Sequence, residues 1–351
     1  MGKKQFFPIK VFFPVLLIIA AIHLGILYVC GWRPFSHNTE STAAAADAKI
    51  PNREKTDIPP AAPAVEKTVL QPPQFSAQAA QMIKPLNYST VRTLPKAKFG
   101  KLRKPRSGIV VELYSRKVLW AKEPQKPVPV ASLTKLMTAL VVMEKISEGG
   151  KLTLKTKVPV TKVATSVERS SVLGMQQGEI YTVNELLAAA LINSHNDAAA
   201  QLAEAAAGSV PAFVKKMNSR CMELGLLSAN FNSPNGLPQG KRRRNSYCSA
   251  ADMVLICELL MKYPEIMKLC VTKQQKIHTG RILRSHNRLL NGKYPVPGFR
   301  GFKTGFTNAA GFCLAFGVER NGKYILGCVT GFPSASDRDN FCRQLINWSF
   351  K

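Results

Sequence analysis

Residues 132–146, SLTKLMTALVVMEKI, constrain the fold of this chain more than any other stretch. Read at helical spacing, Leu133, Leu136, Met137, Leu140, Val141, Val142, Met143 and Ile146 occupy nearly every side of the cylinder. A helix without a polar face has to be enclosed by other elements. The chain must therefore build a domain around 132–144, and any chemistry carried by that helix is carried in the interior.

The flanking sequence supplies the enclosing elements. Residues 108–121, GIVVELYSRKVLWA, read as two short strands, 109–111 and 118–120, around a turn. A helical region covers 183–207, with a break at Asn193-Ser194-His195-Asn196. Another helix covers 211–225 and closes at Gly225, and further helices are expected over 249–262 and 264–270. Residues 311–318 and 323–331 form a hairpin turning at Arg320-Asn321-Gly322, followed by a last helix over 335–350. Strands at both ends with helices between them predict one mixed α/β domain. Its antiparallel sheet is built from both chain ends, flanked by helices, with a helical subdomain beside it.

Charge raises a different question. The 351 residues include 49 Lys or Arg against 21 Asp or Glu, a formal net charge of +28. That balance suits a nucleic-acid or anionic-membrane binder, but it speaks to partners and not to fold. The surplus is +11 over 1–106 and +17 over 107–351, so no single tail holds it. The longest basic run, Lys241-Arg242-Arg243-Arg244, reads as a solvated loop rather than a nucleic-acid patch. With 46% hydrophobic residues the chain is too apolar for general disorder, and its eight cysteines are too few for a disulfide scaffold.

Residues 11–32, VFFPVLLIIAAIHLGILYVCGW, contain no Asp, Glu, Lys or Arg. As a helix they are long enough to cross a hydrocarbon core. Lys3, Lys4 and Lys10 precede them, which predicts a cytoplasmic N-terminus (1–10), a signal-anchor (11–32) and export of the remainder. A cleaved signal peptide is the rival, but the apolar run is long for one and no small-x-small site follows directly. Export makes a nucleic-acid partner an unsuitable explanation of the charge. Residues 33–106 are rich in Pro and Ala and read as a tether, which leaves 107–351 as the globular domain.

Three short motifs occur in order: Ser132-Leu-Thr-Lys135, Ser194-His-Asn196 and Lys303-Thr304-Gly305. Ser132 opens the enclosed helix, and Lys135 lies one turn on, on the same face. A serine nucleophile needs a base near neutral pH, and a lysine serves if burial or a neighbouring cation lowers its pKa. The apolar helix supplies the burial and Lys303 can supply the cation. The Lys303 motif lies among glycines just before the hairpin, where an edge strand can pair with an extended peptide.

These motifs match those of penicillin-binding proteins and serine β-lactamases. The wording around them, PVASLTKLMTALVV, NSHNDAAAQLAEAAAGS, FNSPNGLP, HNRLL and GFKTGFTNAAGFCLAF, resembles the low-molecular-mass D-alanyl-D-alanine carboxypeptidases, peptidase family S11. The resemblance covers about 107–351 and implies a β-lactamase/transpeptidase-like fold. It implies that Ser132 is acylated by the penultimate D-Ala carbonyl of a peptidoglycan stem peptide, with Lys135 as proton acceptor. Ser194 relays a proton to the leaving D-Ala, and Asn196 bonds the substrate amide. Lys303 holds positive potential, Thr304 helps bind the terminal carboxylate, and Gly305 and Phe306 complete the substrate strand. The N–H groups of Ser132 and Phe306 form the oxyanion hole. β-Lactam antibiotics are implied as covalent inhibitors, and no cofactor or metal is needed. The five histidines show no ligand spacing.

Three departures from the family pattern stand out. His195 occupies a place often held by Gly and is read as a tuning or structural residue. The basic run 241–244 lengthens a loop. Many relatives carry a β-rich domain and a C-terminal amphipathic anchor, whereas here residues 11–32 are expected to anchor the chain in the bacterial cytoplasmic membrane. Most of the seven cysteines of the globular part are expected to be buried small apolar residues, with no pairing assigned. Three other readings stay open. A D,D-endopeptidase cutting cross-links is the near variant. A class A β-lactamase would need a Glu after the middle motif, and residues 224–245 contain no acidic residue. A silent wall-binding protein fits poorly with an intact motif set.

Overall fold

The protein's computed structural model describes residues 85–351 apart from Arg169; the expected anchor at 11–32 and the tether up to residue 84 lie outside them. Strands β1 (Ser107–Glu112) and β2 (Val118–Lys122) come from the N-terminal side. Strands β3 (Phe299–Thr307), β4 (Gly311–Arg320) and β5 (Lys323–Phe332) come from the C-terminal side. They form one antiparallel sheet in the order β2-β1-β5-β4-β3. The chain ends meet at β1 and β5, with Val110 opposite Gly327, as the sequence pattern requires.

Both faces of the sheet's centre are covered, which is why β1, β4 and β5 read as near-continuous apolar runs. Ile109, Val111, Ala315, Leu326 and Cys328 join the large core beneath the helices. Val110, Leu314, Phe316, Ile325 and Val329 join a second core with Phe341, Leu345 and Ile346 of the C-terminal helix (Ala335–Ser349). Alternate residues of these three central strands thus face opposite cores, and none of the three needs a polar side.

The helical layer surrounds α1 (Thr134–Ser147), whose residues from Thr134 to Met143 are all buried. Helices α2 (Val183–Ile192), α3 (Asn196–Ala207), α4 (Val210–Glu223) and α5 (Ala250–Leu260) pack around it. Each start has a side-chain cap where the sequence offers one. Thr182 and Glu185 form a reciprocal capping box at α2, and Ser209 and Ser249 cap α4 and α5. The helix breaks fall where Asn193-Ser194-His195 and Gly225 predict them. All seven described cysteines are buried and unpaired, and burial pushes their thiol pKa values up.

One boundary differs from the sequence reading. Residues 85–106 belong to the packed body and not to a tether. Asn87 brackets the β2 start, its N–H donating to Arg116 O and its carbonyl accepting from Val118 N, both at 2.9 Å. Phe99 is buried under the C-terminal helix with its ring centroid 5.6 Å from that of Phe341. The Arg92 guanidinium lies 4.3 Å from the Trp348 ring centroid. Local density of Pro and Lys masks a segment held by one large apolar anchor and a few backbone bonds. Phe99→Ala is therefore expected to destabilise the full chain by about 3 kcal/mol in a denaturant titration. No change would restore the free-tether reading.

Candidate active site

Ser132 sits in a 3-10 turn (Ala131–Leu133) that leads into α1, so the helix proper begins two residues later than the sequence suggests. Ala131 adopts φ +47, a left-handed conformation that costs a non-glycine residue about 1 kcal/mol. The turn holds Ser132 near the positive end of α1. Lys135 is 0% exposed, and its Nζ lies 3.1 Å from Ser132 Oγ, 2.6 Å from Asn196 Oδ1 and 2.7 Å from the Asn235 carbonyl. Burial holds its pKa well below the usual lysine value. The Lys303 charge pushes the same way, and Asp197 opposes. A neutral amine has two hydrogens and one lone pair. The two carbonyl-type oxygens can only accept, so they take both hydrogens. The lone pair is left for the Ser132 hydroxyl, which must then donate. That is the arrangement of a base poised on a nucleophile.

Asn235, absent from the sequence assignment, is placed by the loop 233–236. Thr138 Oγ1 donates to Pro234 O at 2.6 Å, tying the loop to α1. Gly236 follows at φ +85, and a Cβ there would lie 2.0 Å from Ala131 O. The Ser-Pro-Asn-Gly wording was visible, but its function as a backbone acceptor has no side-chain signature.

The middle motif bridges α2 and α3. Ser194 is left-handed at φ +65, which lets the chain turn between the two helices. Asn196 holds Lys135 through Oδ1 and donates from Nδ2 to Ser170 O, while its backbone N–H donates to Ser171 O at 2.8 Å. Asp197 adds a further clamp, accepting from Leu173 N and Gly174 N at 2.9 Å each. The 170–175 loop is thus fastened along the start of α3. His195 is half-buried, with an unpartnered Nδ1 and a pKa held down to about 4, chiefly by burial. Burial thus disfavours its charged form.

The third motif lies on the edge strand β3. Lys303 is buried, its pKa is lowered to about 7 by burial, and Nζ donates to Thr304 O at 2.9 Å. Gly305 marks the closest approach to the nucleophile turn. A Cβ there would stand 3.2 Å from both Ser132 N and Leu133 N. Phe306 is about half exposed and stacks on Phe312 at 4.2 Å between centroids. Thr304 is half-buried beside it. The basic run 241–244 lies away from these contacts in an exposed turn closed by Gln239 and Arg244, with Arg243 3.8 Å from Glu168.

The sequence profile of the D-alanyl-D-alanine carboxypeptidases, peptidase S11, matches residues 101–333. The chain belongs to peptidase family S11. This S11 chain is 32% identical over 249 residues to D-alanyl-D-alanine carboxypeptidase DacF of Bacillus subtilis, spanning 70% of this chain and 62% of that protein. It is 33% identical over 220 residues to a D-alanyl-D-alanine endopeptidase of Pseudomonas aeruginosa, with 61% and 67% covered. Its fold is similar to that of penicillin-binding protein D2 from Listeria monocytogenes in an ampicillin-bound form. That match has a TM-score of 0.64 at 28% identity and covers 72% of this chain and 99% of the other. The mixed α/β transpeptidase-like architecture expected for an S11 domain is the one observed.

The approach of β3 to Ser132 leaves little room for a side chain at 305. Gly305→Ala is expected to slow acylation by a labelled penicillin by about tenfold or more, through displacement of the strand. A stopped-flow or gel time course measures it, and an unchanged rate would mean that the strand has slack.

Proposed function

We propose that this S11 protein is a serine-type D-Ala-D-Ala carboxypeptidase acting on peptidoglycan stem peptides. The observation that carries this reading is the fully buried Lys135 amine, with both hydrogens committed to Asn196 and Asn235 and its lone pair aimed at Ser132 Oγ. Ser132 gives its proton to Lys135 and attacks the penultimate D-Ala carbonyl. The oxyanion develops beside the N–H groups of Ser132 and Phe306, with the helix end adding favourable potential. Ser194 passes a proton to the departing D-Ala amine, and water then releases the acyl-enzyme. Asn196 keeps Lys135 in place, and its second amide hydrogen is the one available to the substrate. Lys303 and Thr304 take the terminal carboxylate, and Gly305 lets the strand lie close.

The segment 11–32 anchors the chain in the bacterial cytoplasmic membrane, and residues from 33 onward face outward. β-Lactams acylate Ser132 and stay, since the segment after Glu223 up to Asn245 offers no carboxylate base for rapid deacylation. Incubation with a labelled penicillin is expected to give a long-lived adduct that is absent in Ser132→Ala. Absence of an adduct in the unmutated chain would remove the enzyme reading, and fast turnover of the label would favour a β-lactamase. The Pseudomonas relative's name makes a D,D-endopeptidase the second reading. Release of D-Ala from a pentapeptide, compared with cleavage of a cross-linked dimer, separates the two.

The two lysines set the pH dependence. Lys135 must be neutral, and its lowered pKa moves the acid limb of kcat/KM far below the ordinary lysine range. Lys303 must be charged to hold a carboxylate. Its pKa of about 7 means that the ammonium is lost, and KM rises, as pH increases through that value. Bound carboxylate raises that pKa, so kcat is expected to persist to higher pH than kcat/KM. Lys303→Arg, charged throughout, is expected to flatten the alkaline rise in KM. A rise of equal size in that variant would assign the limb elsewhere.

A further inference from the structure

Between Glu265 and Glu319 the chain contains no acidic residue, yet it carries Lys268, Lys273, Lys276, Arg281, Arg284, Arg288, Lys293, Arg300 and Lys303. Part of this stretch forms a two-stranded hairpin, Gln274–Lys276 with Ile282–Arg284. Leu283 is buried beneath it, while Gln274, Lys276, Ile282 and Arg284 share the exposed face. Arg281 and Arg300 have carboxylate partners in Glu179 and Glu319. Lys276 and Arg284 have none among the described residues.

The end of this hairpin is built into the catalytic cleft. The Arg284 N–H donates to Asn193 Oδ1 at 2.6 Å, and Asn193 immediately precedes Ser194. Asn193 Nδ2 in turn lies 3.1 Å from His286 Nε2. The Lys303 charge reaches His286 and helps lower its pKa, after burial. Residues 284–286 therefore wall the gap between the second and third motifs. Arg284 stands at the outer end of that wall, exposed and without a counter-charge.

We propose that Arg284, supported by Lys276 on the same face of the hairpin, forms a rim subsite that takes a second carboxylate of the substrate, carried outside its terminal D-Ala-D-Ala. The proposal rests on the carboxypeptidase reading, in which Lys303 and Thr304 are occupied by the terminal carboxylate. A guanidinium offers a planar pair of donors that matches a carboxylate. The hydrogen bond to Asn193 fixes the Arg284 backbone relative to Ser194, so the guanidinium starts from a set point beside the second motif. The lack of any acidic residue from 266 to 318 leaves no competitor within the segment.

The test uses the full chain and two peptides ending in D-Ala-D-Ala. They differ only at the preceding residue, whose side chain ends in a carboxylate in one and a carboxamide in the other. The unmutated protein is expected to favour the carboxylate peptide about fivefold in kcat/KM, mostly through KM, as suits an exposed charge pair. R284Q is expected to bring the ratio to about one by losing rate on the carboxylate peptide, and R284K to recover part of it. Continued labelling of Ser132 by penicillin in R284Q reports a folded site. A ratio of one in the unmutated protein overturns the subsite, as does a ratio that survives in both R284Q and the R284Q/K276Q double variant. Hydrolysis of neither peptide removes the carboxypeptidase reading itself, a result distinct from equal hydrolysis of both.

Discussion

The site depends on taking one lysine amine out of water. In solution an ammonium group is protonated near neutral pH and cannot accept a proton from a serine. Enclosing Lys135 completely disfavours its charged form, and the nearby Lys303 adds to the effect. Burial alone would leave the amine without hydrogen-bond partners. Asn196 Oδ1 and the Asn235 carbonyl provide two, both acceptors, and so fix which way the lone pair faces. Orientation of the base thus follows from acceptor placement.

The rest of the fold can be read as the means of holding those acceptors still. Asn196 begins α3, and its Nδ2 donates to Ser170 O, so the amide cannot turn without breaking that bond, while Asp197 beside it fastens the 173–174 part of the same loop. Asn235 is fixed through Pro234 and Thr138 to α1, the helix that carries Lys135 itself. The sheet contributes the third wall. Its two cores hold β4 between β5 and β3, and β3 is left as an edge strand that passes over the nucleophile turn. An edge strand is exposed to pairing, and the proposed function uses that property to seat an extended peptide.

Much of this was legible in the sequence because it is periodic or local. The all-apolar helix demanded enclosure, the hairpin turn at Asn321-Gly322 followed from its residues, and Lys135 meets Ser132 as their one-turn spacing suggested, whereas the approach of Asn196 followed from the family resemblance alone. What was not legible falls into two kinds. A backbone carbonyl such as that of Asn235 acts through position and leaves no trace in residue type. Residues 85–106 resemble a linker in composition, yet a single buried Phe99 and the backbone bonds of Asn87 join them to the body. Composition averages over a window and hides one anchor among many polar residues.

The positive charge is better understood from where carboxylates are missing than from where lysines occur. A free carboxylate beside Lys135 would raise its pKa and return the base to its protonated form. Asp197 has that tendency toward Lys135, but its oxygens accept from Leu173, Gly174 and Ala198 N–H groups, which draw its charge toward the loop. Glu319, where acids resume after the long gap, pairs with Arg300 through Nε at 3.1 Å. The acid-free run from 266 to 318 spans the hairpin, the 284–286 wall and the whole of β3. Part of the net charge of +28 thus lies in a segment that borders the site, where no carboxylate from 266 to 318 competes for Lys303.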